Sequence, residues 1–229
     1  MKKKTVSDAP RVLVIDVGGT HIKFLATGEA KPREFNSGRK MTADEMTGGV
    51  LARTEDWNYD VIAVGFPGPV VRGRPVSDPP NLAKGWVGFD FEAAFERPVK
   101  IINDAAMQAL GGYEGGRMLF LGLGTGLGSV MIIEGVIEAM ELAHLPYKDG
   151  KTYEDFLGKR GLEKLGKKRW RHAVREVIGL FEAALRPDYT VLGGGNIHEL
   201  KELPENVKLG ENANAFAGGF RLWHQEAVA

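Results

Sequence analysis

Hydrophobic and polar positions along the chain predict short buried strands that alternate with helices. Apolar, β-branched runs that end at a turn predict strands at 11–16, 60–66, 99–102, 118–123 and 189–192. The runs 21–26 and 129–133 follow glycine turns and predict return strands of hairpins, and a smaller hairpin is expected around Gly73. Helices are predicted at 42–57, 167–185 and 212–225. The alternation indicates an α/β fold.

One pattern occurs twice in the sequence. Residues 12–20 and 118–126 each form an apolar strand that ends in a glycine turn containing a threonine. Repetition of one supersecondary unit predicts two similar lobes with a cleft between them. Chance is the competing explanation, because strand–glycine–strand is a common pattern. We predict an N-terminal lobe at 1–103, a C-terminal lobe at 104–211, and a helix within 212–229 that packs back on the N-terminal lobe.

Composition excludes several classes of protein. The 229 residues are 43% hydrophobic and 26% charged, as in ordinary soluble domains. Thirty basic and thirty acidic residues give no net charge, which disfavours nucleic acid as a partner. The chain has no cysteine, which excludes disulfides, thiolate nucleophiles and cysteine zinc sites. No apolar run approaches membrane-spanning length, and no signal-peptide apolar region follows the basic start, so we expect a cytoplasmic protein without a membrane partner.

The first glycine turn lies within Asp16-Val17-Gly18-Gly19-Thr20-His21-Ile22-Lys23. Glycines let backbone N–H groups converge on an anion, typically phosphate. Thr20 adds a hydroxyl donor, and Asp16 at the strand end is placed to hold Mg²⁺ through water. The alternative is a plain hairpin turn in which Asp16 accepts hydrogen bonds from the amides. The spacing is that of neither a Walker A loop nor a Rossmann fingerprint.

Two further glycine segments follow predicted strands. Gly122-Leu123-Gly124-Thr125-Gly126-Leu127-Gly128-Ser129 offers amides and two hydroxyls but no carboxylate. Together with the first turn it would hold one polyanion from opposite sides. The backbone of Gly193-Gly194-Gly195-Asn196 can lie flat under a planar base. The alternatives are a tight hairpin for the former segment and a loose loop for the latter.

Polar side chains at two other places have two interpretations each. Asp104 follows the strand 99–102, where α/β proteins place ligands, and can accept the proton of an attacking hydroxyl. Asn103-Asp104 also has the pattern of a helix N-cap. Glu141 and His144 are three residues apart, so on a helical turn both can bind a polyhydroxylated ligand. A lone histidine is, however, more often structural.

A basic run extends from Lys159 to Arg175. It contains eight basic residues and one acid, Glu163. A solvated helix face is the ordinary explanation. The sharper hypothesis is a binding track for a long polyphosphate, because closely spaced phosphates favour a row of cations.

In their order, these segments resemble the ROK sugar kinases of the actin-like ATPase superfamily, and most closely the polyphosphate glucokinase branch. Residues 16–23 and 123–129 resemble the two phosphate motifs, and 192–196 the adenosine motif. Gly65-Phe66-Pro67-Gly68 resembles the strand-end motif, Asn81 and Trp86 the sugar loop, and Asn103-Asp104-Ala105 the catalytic segment. Glu141-Leu142-Ala143-His144 is similar to the family's E-x-G-H. The resemblance covers nearly the whole chain, and its specificity lies in the ordered set.

The resemblance implies a two-lobed actin-like ATPase (ribonuclease H-like) fold with an interlobe cleft. It implies a kinase that transfers a phosphoryl group from polyphosphate or ATP, with Mg²⁺, to the 6-hydroxyl of glucose or a similar hexose, and a homodimer. Asp104 would be the catalytic base. Sugar-binding residues would be Asn81, Asn103, Asp104, Glu141, His144 and Glu154. Donor-binding residues would be Asp16, Gly18, Gly19, Thr20, Lys23, Gly124, Thr125, Gly126, Gly193, Gly194, Gly195 and Asn196.

The sequence also departs from the family pattern. Without cysteine it lacks the zinc site of most ROK kinases, as the polyphosphate branch does. Ala143 replaces the glycine of E-x-G-H, and Ala106 stands where the branch often has a second aspartate. One alternative is a non-catalytic ROK-type sugar-binding or regulatory protein; the first predicted strand, near residue 11, leaves no room for a DNA-binding domain before it. Another is an actin-like polymerising protein, which the sugar loop disfavours.

Overall fold

The structure of the protein is a computed structural model that describes residues 9–211 and 213–224. The chain forms two compact units. Among the described residues, the first unit contains 9–104 and 219–224, and the second contains 105–211 and 213–218.

The first unit is built on a five-stranded sheet in the order β3-β2-β1-β4-β7. Its strands are β1 (Val12–Val17), β2 (His21–Ala26), β3 (Arg33–Asn36), β4 (Val61–Phe66) and β7 (Val99–Asn103). Strand β2 pairs with β1 and β3 in antiparallel orientation, and β4 pairs with β1 and β7 in parallel orientation. The expected hairpin around Gly73 is present as β5 (Val70–Val71) and β6 (Arg74–Pro75). Helices α1 (Ala43–Leu51) and α2 (Phe91–Phe95) complete this part of the chain.

The second unit contains a five-stranded sheet in the order β10-β9-β8-β11-β12. Its strands are β8 (Arg117–Leu123), β9 (Leu127–Ile133), β10 (Val136–Met140), β11 (Tyr189–Gly193) and β12 (Val207–Leu209). Its helices are α3 (Asp104–Gly111), which follows β7 directly, α4 (Tyr153–Leu157) and α5 (Lys159–Leu185). The two sheets have the same strand order and the same pattern of parallel and antiparallel neighbours. The repeated sequence pattern therefore corresponds to a repeated topology.

Each sheet packs its apolar face against helices. In the first unit the core contains Phe24, Met46, Phe66 and Trp86, all fully buried. In the second, α5 turns a stripe of apolar side chains toward the sheet: Trp170, Val174, Val177, Ile178 and Phe181. This stripe has the helical spacing that the sequence predicted, because residues three and four apart share one face of a helix.

The structure corrects several predicted boundaries. Helix α5 begins at Lys159 rather than 167, and the non-helical residue Gly166 (φ 73°) interrupts it. Helix α1 ends at Leu51 rather than 57, where the hydroxyl of Thr54 donates to the carbonyl of Val50 and the chain turns. Strands β3, β10 and β12 and helices α2 and α4 were not predicted. They are short, and the exposed positions in β3, β10 and β12 break up the apolar pattern.

Helix α6 (Asn214–His224) makes unusually close backbone contacts. A Cβ on Gly218 would lie 1.8 Å from the carbonyl oxygen of Met107 in α3. Further along, Gly219 packs on Val14, and the indole of Trp223 donates to the carbonyl of Ile62 at 3.0 Å. The helix was predicted at 212–225, and both of those end residues lie outside the described part of the chain. Among the described residues, no helix combines the length and apolar character needed to cross a membrane.

Candidate functional site

The first glycine turn joins β1 to β2 and has a closed shape. The amide of Gly18 donates to the carbonyl of His21 at 3.0 Å, and the Ser37 hydroxyl donates to the carbonyl of Gly18 at 2.6 Å. A Cβ on Gly18 would lie 2.7 Å from the His21 oxygen, so the turn requires glycine there. Ser37 was not predicted from the sequence. It lies just beyond β3, an edge strand that the apolar pattern did not reveal.

Asp16 lies near the end of β1, in register with Gly65 of β4 and Lys23 of β2. The side chain keeps some contact with solvent, but the surrounding protein removes enough water to raise the pKa of its carboxyl. The positive charge of Lys23 partly offsets this shift. A desolvated carboxylate gains from a nearby cation, so the environment of Asp16 is compatible with the predicted Mg²⁺.

The donor set around Asp16 fits a loosely held ion. Within residues 9–211 and 213–224, no group of three or more His, Asp or Glu side chains is placed to hold a metal. Mg²⁺ characteristically keeps several waters and binds one or two carboxylates together with substrate phosphates. Asp16 would then supply one protein oxygen, directly or through water.

The predicted sugar loop packs on the first glycine turn. A Cβ on Gly19 would lie 3.1 Å from the Cβ of Asn81, so these two predicted site residues are neighbours. The loop is held by Asp78, whose Oδ1 accepts the backbone N–H groups of Gly85, Trp86 and Val87 at 3.1, 2.9 and 3.3 Å. These hydrogen bonds lower the pKa of Asp78, with the amide of Trp86 contributing most.

Asp78 therefore organises the loop that carries Asn81, and sequence reasoning missed it. An aspartate that begins a proline-rich and glycine-rich segment is a recognisable turn signal. The sequence does not show which amides it accepts, because those lie seven to nine residues away. Trp86, fully buried, anchors the far end of the loop by donating from its indole to the carbonyl of Met41 at 3.3 Å.

Asn103 and Asp104 occupy the junction between β7 and α3. The side-chain amide of Asn103 donates to the carbonyl of Gly68 at 3.0 Å, which ties the end of β7 to the turn after β4. Asp104 is the first residue of α3. A Cβ on Gly128 would lie 2.9 Å from the Cβ of Ala105, so Gly128 allows the start of α3 to approach β9 closely.

The second glycine turn joins β8 to β9, and its carbonyl groups are fixed by two other segments. The amide of Lys159 donates to the carbonyls of Gly124 and Thr125 at 3.0 and 3.2 Å. The side-chain amide of Asn196 donates to the carbonyl of Gly124 at 2.9 Å. Thr125 is exposed. The turn therefore has a defined shape at the start of α5.

Glu154 lies against this turn. Its Oε2 accepts the amide of Leu127 at 3.2 Å, and a Cβ on Gly126 would lie 2.2 Å from the same oxygen. Only glycine fits at 126 without moving that carboxylate. The sequence grouped Glu154 with the sugar-binding residues; in the second unit it contacts a predicted donor turn.

The third glycine segment packs on the end of β8. Gly194 has φ 86°, and a Cβ there would lie 2.6 Å from the backbone of Leu123. Gly193 approaches Phe120 similarly, at 2.6 Å. Because Asn196 also contacts Gly124, the structure brings 193–196 and 124–126 together within the second unit.

Glu141 directly precedes a 3₁₀ helix (Leu142–His144), and His144 is the last residue of that helix, so the pair does not lie on an α-helical turn. Their side chains point the same way, with Nε2 of His144 3.4 Å from Oε2 of Glu141, and about two thirds of each side chain is exposed. Ser129 is buried, and its hydroxyl donates to the carbonyl of Met140 and accepts the amide of Leu142. Ser129 thus holds the Glu141 segment on β9, and its hydroxyl is not directed to a phosphate as the sequence suggested.

Comparisons with known proteins bear on the fold. No protein-family model matches the chain, and no curated protein matches it. Among solved structures, the inorganic polyphosphate/ATP-glucomannokinase of Arthrobacter sp. strain KM is similar at 23% identity and TM-score 0.79, covering 95% of this chain and 99% of that one. A ROK family glucokinase from Streptomyces griseus, in complex with glucose and AMPPNP, is 17% identical with TM-score 0.73 over 94% and 100%. A ROK family transcriptional regulator, a homolog of the E. coli MLC protein, is 15% identical with TM-score 0.72 over 93% and 77%.

These similarities establish the fold. The protein has the actin-like ATPase fold of the ROK proteins, as the sequence resemblance implied, and ROK family sugar kinases recur among its structural neighbours. The regulator among them shows that one fold hosts more than one function. The activity of this chain must therefore be argued from its site.

Proposed function

We propose that the protein is a sugar kinase that transfers a phosphoryl group from polyphosphate or ATP to the 6-hydroxyl of glucose or a similar hexose. The observation that carries the proposal is that each of two sheets of identical topology has a glycine turn between its first and second strands. A plain hairpin needs no such pair of constrained turns. The two named neighbours that act on or bind both a sugar and a nucleotide or polyphosphate support the same assignment.

The donor is assigned to the two turns and the third glycine segment. Backbone amides of the turns, the hydroxyls of Thr20 and Thr125, and the ammonium of Lys23 would bind its phosphates. Mg²⁺ at Asp16 would offset the charge of the transferring group. The segment Gly193-Gly194-Gly195-Asn196 would support the adenosine of ATP.

The acceptor is assigned to Asn81, Asn103, Glu141, His144 and Glu154, which would bind sugar hydroxyls, and to Asp104. The 6-hydroxyl oxygen forms the new bond to phosphorus, the bond from phosphorus to the donor bridging oxygen breaks, and Asp104 takes the hydroxyl proton. Phosphoryl transfer depends mainly on positioning and charge neutralisation. The fixed turns and the loop held by Asp78 support that requirement.

The test is a coupled assay with glucose, Mg²⁺ and either ATP or long-chain polyphosphate, read as glucose 6-phosphate. We expect Asp104→Asn to lower turnover by about 10²–10⁴-fold, the usual scale for a positioned acid–base group, while hexose affinity and melting temperature stay near wild type. Asp149→Asn is the matched control, because Asp149 is exposed and its positive φ (54°) suits asparagine.

Two outcomes would contradict the proposal. Near-normal turnover of Asp104→Asn would remove Asp104 from the mechanism. Hexose binding by the wild type without turnover on either donor would favour the regulatory alternative. A homodimer is part of the same proposal and is tested by size-exclusion chromatography with light scattering.

A further inference from the structure

The structure distinguishes two groups of basic residues in α5 and in the segment shortly before it. One group is neutralised by acids that follow β11. Lys167 and Arg171 contact Glu199 at 2.8 and 3.8 Å, and Arg175 contacts Glu202 at 3.5 Å. These three cations, which the sequence assigned to one continuous basic run, therefore share two carboxylates.

The other group we name the basic face: Lys151, Arg160, Lys164 and Lys168. Within the described residues none of the four forms an ion pair. Gly166 interrupts α5 between Lys164 and Lys168. Lys164 adjoins Lys151, and Lys168 lines a groove with Tyr147.

Lys151 and Lys164 are neighbours in the basic face. The ammonium of Lys151 lowers the pKa of Lys164, because a nearby like charge disfavours the charged form. Asp155 is the carboxylate beside Lys151, Arg160 and Lys164. Its Oδ2 already accepts the amide and hydroxyl of Thr152 at 2.9 and 3.1 Å. A bound polyanion would relieve this repulsion.

The basic face starts at the second glycine turn. The amide of Lys159 contacts the carbonyls of Gly124 and Thr125, and Arg160 is the next residue. From Arg160 to Lys164 the helix rises about 6 Å, at about 1.5 Å per residue. Lys168 lies beyond the interruption at Gly166. A chain of phosphates that leaves the turn along α5 would thus meet successive cations.

We infer that the basic face binds the part of an inorganic polyphosphate donor that extends beyond the phosphates held at the second glycine turn. This inference rests on the proposed function and assigns one of its two donors a dedicated surface. Inorganic polyphosphate is favoured over nucleic acid because the face is continuous with a turn suited to phosphate. ATP carries only three phosphates, so only a longer donor supplies phosphates beyond those held at the turn.

The test compares two triple variants with the same change in charge. The first carries Lys151→Gln, Lys164→Gln and Lys168→Gln. The control carries Lys31→Gln, Lys40→Gln and Lys201→Gln, three exposed lysines elsewhere. Binding of fluorescently labelled long-chain polyphosphate is measured by anisotropy over a range of salt, and KM is measured for long-chain polyphosphate, tripolyphosphate and ATP. Thermal melting verifies that both variants fold.

We expect the first variant to bind long-chain polyphosphate at least about tenfold more weakly, with a log–log salt slope smaller by about 2 if three phosphate contacts are lost. Its KM for ATP and tripolyphosphate should match the control. Equal losses in both variants, or equal losses for all donors, would overturn the inference. A larger loss for a single-stranded RNA oligonucleotide than for polyphosphate would also overturn it.

The binding measurement does not depend on turnover. If the wild type phosphorylates no hexose, yet the first variant alone loses polyphosphate affinity, the proposed kinase activity fails and the polyphosphate surface stands. If turnover is normal and the affinities are equal, the surface fails and the kinase stands.

Discussion

Replacing Gly218 with alanine tests whether the close packing of α6 on α3 is essential. The new Cβ would lie 1.8 Å from the carbonyl oxygen of Met107 and 2.9 Å from the amide nitrogen of Gly111. Real Cβ contacts essentially never fall below 3.0 Å, so one backbone must move by at least 1.2 Å, the difference between 3.0 and 1.8 Å. A neighbouring backbone cannot rotate away as a flexible side chain can.

The expected loss follows from two opposing effects. Overpacking a tight contact costs about 1–3 kcal/mol, and more where backbone must shift. Alanine in a helix gains about 1 kcal/mol over glycine. Taking the upper end of the first effect, we expect the free energy of unfolding to fall by about 2 kcal/mol, which corresponds to a melting temperature lower by about 4–8 °C in a chain of this size.

Gly179→Ala is the matched control. Gly179 lies inside α5, and a Cβ there would meet no atom within 4 Å. The helix preference therefore acts alone, and this variant should gain about 0.5–1 kcal/mol, or about 1–4 °C. Both variants are measured by thermal and urea unfolding followed by circular dichroism.

Under the proposed function the same packing bears on turnover, because α3 begins at Asp104, the proposed catalytic base. A shift of about 1 Å at a catalytic group can cost about 10²-fold in rate, so Gly218→Ala should also lower turnover while Gly179→Ala leaves it unchanged. If the two variants prove equally stable, the close contact of α6 with α3 is not the constraint described above.

Two further predictions concern other parts of the first unit. Asp78→Ala removes the acceptor for the amide of Trp86 and its neighbours, so the KM for hexose should rise by about tenfold while the KM for the donor stays constant, as steady-state kinetics with each substrate varied will show. The Arg11 guanidinium lowers the pKa of Asp60 to about 2. The ion pair between the two side chains therefore stabilises the folded protein fully above the ordinary carboxyl pKa, and this stabilisation is lost as pH falls toward 2. Asp60→Asn should therefore be less stable than wild type at pH 7, and urea unfolding should show the difference shrinking below about pH 4; a constant difference at all pH values would exclude this ion pair as its cause.

The sequence predicted the strands and helices that show a clear local pattern of apolar residues. Strands β1, β4, β8 and β11 are nearly continuous apolar runs, because they are buried inside sheets. The hydrophobic stripe of α5 follows from helical spacing. The edge strands and the short helices escaped prediction because few of their residues are buried, and contacts with distant segments hold them in place.

For the site, the sequence located the glycine turns and the polar residues at strand ends. The structure shows why some of these positions require glycine. A Cβ would lie too close to the His21 carbonyl at Gly18, to the Glu154 carboxylate at Gly126, and to the Leu123 backbone at Gly194. Each of these contacts joins residues whose proximity depends on the folded chain.

By itself, the sequence determined the α/β class, the repeated strand–turn–strand unit and the order of the motifs, because these depend on local periodicity and on residue type. Tertiary structure alone decided that Asp78 holds the loop that carries Asn81, that Glu154 lies on the second glycine turn, and that Glu199 and Glu202 form ion pairs with part of the basic run. Hydrogen bonds and ion pairs between segments far apart in the chain arise only when sheet register and helix packing bring their partners within a few ångströms, and no local pattern records that distance.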